Sequence, residues 1–161
     1  MKGKFFLVYF LLLFAGASLF LYGLKVDTLH SEDLQRNFEK LYSKTSKSAS
    51  SLMGELRTFK GEDIRHALDV VTYIQNISSN VELCMSLLAV YNSIDSDCSS
   101  SKKRALDYIK KKFSFKKNSN KGYINNILEY QKYIKHSVLL SYLTECISFN
   151  RKYSDLLSKF K

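Results

Sequence analysis

Apolar residues fall into two regimes along this chain. From Phe5 to Leu24 they run almost unbroken. After Lys25 they recur every three or four residues, the period of a helix with one buried stripe. Ser31-Glu32-Asp33 reads as an N-cap with acids in the first turn. Leu34, Phe38, Leu41 and Tyr42 follow at helical spacing and predict a helix over 31–44. Thr45 to Ser51 reads as a serine-rich break, and Leu52, Leu56 and Phe59 as a short helix ending near Gly61. Glu62-Asp63 opens the next element, striped by Ile64, Leu68, Val71, Ile74 and Ile77. Val81, Cys84, Leu87, Leu88, Tyr91 and Ile94 carry that stripe past Ser78-Ser79-Asn80, so the spacing predicts one long helix over 62–94.

Asp95 to Ser101 reads as a polar loop around Cys98. Leu106, Ile109 and Phe113 predict a short, strongly basic helix, and Asn118-Ser119-Asn120-Lys121-Gly122 a turn. The last helix is expected from Tyr123 to about 150, or as far as Phe160, with Ile124, Ile127, Ile134, Val138, Leu139, Tyr142 and Phe149 inside. No segment sustains the two-residue alternation of a strand. The expected class is all-α: an up-down or cytokine-like bundle of four main helices plus one or two short ones, in a single domain over 24–161.

The opening segment changes the expected compartment. Lys2 and Lys4 precede the apolar run and Lys25 follows it, the pattern of an export signal. Ala15-Gly16-Ala17 offers a small-x-small cleavage site, and a second stop lies after Gly23. Residues 1–23 are therefore expected to be a signal peptide. The alternative is an uncleaved anchor over 5–24, whose 20 residues suffice to span a bilayer. Either way the domain is expected outside the cytoplasm, secreted or held at its membrane.

Charge then singles out one stretch. The net charge is +10, but residues 26–100 carry −4 and residues 101–161 carry +11. Lys102, Lys103, Arg104, Lys110, Lys111, Lys112, Lys116 and Lys117 surround a single acid, Asp107. On a helix they form a cationic face opposite Leu106, Ile109 and Phe113. For an exported protein, such a face points to glycosaminoglycan, an acidic receptor surface or an anionic membrane rather than to nucleic acid. The bland counterpart is a solvated face that keeps the domain soluble.

Candidate chemistry is sparse. There is no nucleophile elbow, phosphate-cradling glycine loop or zinc-protease motif, and His30, His66 and His136 lack metal-ligand spacing. No enzymatic activity, metal or cofactor is expected. Asn76-Ile77-Ser78 is an N-glycosylation acceptor whose asparagine faces solvent if Ile77 is buried. Three cysteines allow at most one internal bridge. Cys84 lies on the apolar stripe, ~15 Å below the loop that holds Cys98, while a last helix starting at Tyr123 carries Cys146 ~35 Å back toward that loop. Cys98–Cys146 is the expected disulfide, with Cys84–Cys146 open if the last helix starts lower.

Three stretches resemble the interleukin-10 family of helical cytokines. Phe59-Lys60-Gly61 with Ala67-Leu68 is similar to the start of its third helix. Cys98 with the lysine-rich linker, Ala105-Leu106, Ile109-Lys110 and Phe113 resembles its fifth. Lys121-Gly122 with Ile127, Glu129 and Tyr130 resembles the opening of its last. Cys84 with Leu87-Leu88-Ala89-Val90-Tyr91 is similar to the interleukin-19 and interleukin-24 branch. Leu34, Phe38, Leu56, Phe59, Leu128 and Gln131 resemble interferon-gamma. Arg65 stands where the family has a cysteine. The resemblance implies a secreted ligand for cell-surface receptor chains, without enzymatic activity; an AT-rich composition would suit a captured viral mimic.

Overall fold

Four helices, each with its own seam of inward positions, build the domain in a computed structural model that describes residues 30–160. The signal or anchor expected over 1–24 lies outside the described residues. Helix α1 occupies 30–55, followed by a 3-10 turn at Leu56–Thr58. Then come α2 (Glu62–Ser93), α3 (Ser99–Tyr130) and α4 (Ser137–Lys159). No strand occurs among the described residues, so the all-α bundle is as expected. No described helix is long and apolar enough to cross a membrane.

The seams explain the pairing. Buried residues step by three and four along α1 (Leu34, Phe38, Leu41, Thr45, Ser48, Leu52) and α2 (Ala67, Val70, Ile74, Ile77, Val81, Cys84, Leu88, Tyr91). They do the same along α4 (Leu139, Leu143, Cys146, Asn150, Tyr153, Leu157). That spacing lets near-antiparallel helices interdigitate along their length. Polar contacts fix the directions. At one end Ser31 donates to Asn92 Oδ1 (2.6 Å), and His30 Nε2 lies 2.8 Å from the Lys159 carbonyl oxygen. At the other end the Tyr142 hydroxyl donates to Glu55 (2.7 Å). Each helix thus runs against the one before it, with short connections. Across the middle, Phe38 meets Phe113 and Tyr153 edge-on, with centroids 5.8 and 6.3 Å away.

Three expected boundaries are corrected. The break over 45–51 is helix, because Thr45, Ser48 and Ala49 occupy seam positions where small side chains let α1 pack closely. Their hydroxyls are satisfied: Thr45 donates to the Tyr42 carbonyl oxygen (3.0 Å) and Ser48 to Glu145 Oε2 (2.8 Å). The turn over 118–122 is also helix. The seam Ile109, Phe113, Lys116, Asn120, Tyr123, Ile127 runs through it unbroken, and a Cβ on Gly122 would meet nothing within 4 Å. The real reversal falls at 131–136, inside the expected last helix. There buried Ile134 plugs the base, and His136 stands edge-on to Phe59 with centroids 5.0 Å apart. The long helix expected over 62–94 is present as α2, but Ile64 and Leu68 face out; Ala67 and Val70 hold the seam instead. Val138 is likewise exposed.

The disulfide falls with the boundaries. All three cysteines are free, Cys84 and Cys146 buried and Cys98 exposed. Cys98 caps the start of α3, whose 32 residues descend ~48 Å before the chain turns. Helix α4 climbs only ~14 Å from Ser137 to Cys146, so neither Cys98–Cys146 nor Cys84–Cys146 forms. Burial pushes the Cys84 thiol up to about 11, with Tyr153 and Lys116 drawing it partly back, and pushes the Cys146 thiol up to about 12.

Candidate functional site: the outer face of α3

The seam of α3 fixes what its far side presents. With Ile109, Phe113, Asn120 and Ile127 turned inward, a step of roughly 100° per residue sends Arg104, Tyr108, Lys111 and Phe115 outward, with Lys112 beside them. All five are exposed, and the two aromatics stand 52% and 69% open to solvent. The Lys112 ammonium sits over the Tyr108 ring, 5.3 Å from its centroid, a cation–π contact that holds the strip together.

The eight predicted basic residues do not act as one face. Arg104, Lys111 and Lys112 share the outward strip with the aromatics. Lys103, Lys110 and Lys117 lie on its shoulder. Lys102 turns back over the Tyr91 ring at 5.3 Å and toward the Ile94 carbonyl oxygen at 3.5 Å. Lys116 takes a seam position and donates to Asn80 Oδ1 (2.5 Å). Two of the eight are therefore part of the packing, five are exposed, and Lys117 is half-buried between them.

That surface is electrostatically uncompensated. Asp107 lies within helical reach of Lys103, Arg104, Lys110 and Lys111, yet the ion pairs among the described residues are Arg36–Asp33 and Arg65–Glu62 only. Like charges four residues apart, as at Lys112/Lys116 and Lys117/Lys121, destabilise a helix by some tenths of a kcal/mol per pair. The sequence signal for Tyr108 and Phe115 is their seven-residue spacing, roughly 100–160° around the helix from Ile109 and Phe113.

Elsewhere the structure offers binding space without assembled chemistry. A groove of about 840 Å3 runs between α1 and α4, edged by Lys44, Lys47 and Lys152 and floored by the Ser48–Glu145 and Tyr142–Glu55 contacts. Near the base, Tyr130 donates to Asp69 (2.6 Å) beside the His66 ring. Burial and the Asp69 carboxylate raise the Tyr130 phenol above the ordinary tyrosine range. No cluster of three or more metal-ligating side chains occurs among the described residues. Asn76 is exposed as expected, in mid-helix, with its amide 3.5 Å from the Tyr123 hydroxyl. No family model matches the chain, and neither a curated protein nor a solved structure matches it.

Proposed function

We propose that this chain is an extracytoplasmic helical adaptor that docks on anionic membrane surfaces through the outer strip of α3. The observation that carries the reading is the interleaving of Arg104, Lys111 and Lys112 with exposed Tyr108 and Phe115 on one helix face. Cations alone would suit any polyanion. A phenyl ring that is two-thirds exposed adds a term that a sulfated polysaccharide cannot satisfy and a headgroup–acyl boundary can. An apolar segment over 5–24, if retained, would keep this strip close to a bilayer.

The receptor-ligand reading remains the second proposal, and connectivity separates the two. Cytokine bundles of the up-up-down-down kind need two long crossovers. Here successive helices alternate in direction, joined by turns of a few residues at 94–98 and 131–136. That order favours the adaptor reading. The test is vesicle flotation. Replacing Lys111 and Lys112 with Gln removes about 1 kcal/mol per lysine near an anionic surface, so affinity for phosphatidylglycerol vesicles should fall roughly thirtyfold. Lys40→Gln with Lys44→Gln on α1 should leave it unchanged. Equal losses in both variants, or tighter binding to heparin than to vesicles, would defeat the membrane assignment.

A further inference from the structure

Lys116 stands at a place in the bundle where a lysine is costly. It holds a seam position of α3 between Phe113 and Asn120, where the helix otherwise turns apolar or neutral side chains inward. Its stem is half-buried, and its ammonium carries three donors. One goes to the neutral Asn80 Oδ1 at 2.5 Å; no described carboxylate pairs with it. Beside it a pocket of about 340 Å3 opens between α2 and α3, lined by Asn76, Ser79, Asn80, Ser119, Asn120 and Tyr123, with Tyr153 of α4 at its floor. Lys116 is the one charged residue of that lining, and no Asp or Glu belongs to it.

The polar atoms around the pocket are largely committed elsewhere, which orients what is left. The Tyr123 hydroxyl donates to the Tyr73 carbonyl oxygen (3.2 Å), Asn120 Nδ2 to the Asn150 carbonyl oxygen (3.4 Å), and Ser119 to the Lys116 carbonyl oxygen (3.0 Å). Asn120 is more than nine-tenths buried, so it is a fixed wall of the pocket. With its carbonyl oxygen turned to Lys116, Asn80 has its amide N–H groups free to serve a ligand alongside the ammonium. The positive charge is felt in the core behind: Lys116 is among the groups that lower the Cys84 thiol against the larger effect of burial.

We propose that this pocket seats a phosphate, as a monoester, bonded by the Lys116 ammonium and the Asn80 amide. A lone cation in a partly desolvated, donor-lined pocket favours an oxyanion over a neutral ligand, and charge-assisted bonds make it the strong partner. The volume exceeds what inorganic phosphate fills and leaves space for a small organic group beyond the ester oxygen. The site is distinct from the outer strip of α3 and does not depend on membrane docking.

Two sources supply this chemistry, a soluble phosphate ester or the exposed headgroup of phosphatidic acid. The experiment follows side-chain amide and backbone NMR signals of the full-length protein at constant ionic strength. Inorganic phosphate and glycerol 3-phosphate are titrated in turn. Saturable shifts at Asn80, Asn120 and Ser119 are expected. They should weaken about tenfold or more in K116Q and vanish in N80D, where an internal carboxylate occupies the ammonium. They should persist in K111Q/K112Q. Phosphatidic acid vesicles with soluble chromophore-free buffer then assign the source: Lys116-dependent broadening of the same signals marks the lipid, and its absence marks the soluble ester. Shifts that grow linearly along the exposed lysines of α3 and are the same in K116Q would overturn the site. Because the first titration uses free phosphate and keeps its result when Lys111 and Lys112 are replaced, it stands or falls separately from membrane docking.

Discussion

Asn150 offers a sharp test of the packing. It lies on the seam of α4 between Cys146 and Tyr153, fully buried, and neither atom of its side-chain amide has a hydrogen-bond partner among the described residues. Only its backbone carbonyl is engaged, accepting from Asn120 Nδ2 at 3.4 Å. An unsatisfied buried polar group costs about 1–3 kcal/mol. Leucine has the same number of side-chain heavy atoms with the same branch point, in a bulkier group, adds apolar burial and is the better helix former by some tenths of a kcal/mol. Asn150→Leu leaves the Asn120 bond in place, because that bond uses the backbone. The variant should therefore gain about 1–3 kcal/mol, seen as a higher urea midpoint at unchanged slope. Asn150→Ala, which opens a cavity, should be less stable than Asn150→Leu. A loss of stability in Asn150→Leu would refute the reasoning and show that a buried water or a core rearrangement satisfies the amide in solution.

Other outcomes follow from the same packing. Gly122→Ala should stabilise by ~0.5–1 kcal/mol in thermal melts, since α3 is continuous there and nothing would meet the added Cβ; a destabilised variant would restore the turn at 118–122. Gly61→Ala should destabilise, because its φ of 58° is a left-handed conformation that strains any residue with a Cβ. In native protein at pH 8, iodoacetamide should label Cys98 and spare Cys84 and Cys146, whose buried thiols stay protonated; three equally reactive thiols would contradict the fold. Both thiols have folded pKa values raised above the ordinary thiol value of 9.0, so the folded state holds their protons longer than the unfolded one. Their contribution to stability is complete below about pH 9 and is lost as pH rises toward 11 and 12; urea titrations across that window should show stability falling, and a flat profile would count against their burial.

Periodicity made the bundle legible, and composition obscured its joints. The stripe through Ile74, Ile77, Val81 and Cys84 is apolar throughout, so α2 reads correctly across Ser78-Ser79-Asn80. Thr45 and Ser48 keep the same three-and-four spacing in α1, but their small polar side chains look like a break until Glu145 of α4 is seen to accept from Ser48. Lys116 and Asn120 hide the α3 seam in the same way. Nothing local marks the reversal at 131–136: Ile134 continues the period of Ile127 and is buried, but in a connection held by the edge-on contact of His136 with Phe59. The basic tract was visible as charge. Its division into outward, shoulder and inward residues required the rotation of α3, and the pocket beside Lys116 required α2 and α3 together.

The membrane reading has one direct measurement, made possible because the chain contains no tryptophan. Phe115→Trp places a single reporter at the most exposed ring of the α3 strip. On addition of phosphatidylglycerol vesicles its emission should shift to the blue and be quenched by brominated acyl chains. Neutral phosphatidylcholine vesicles should leave it unchanged, and added salt should reverse the shift as the lysine contacts are screened. Emission that stays that of a fully hydrated indole in both vesicle types would contradict the proposal that this face docks on an anionic bilayer.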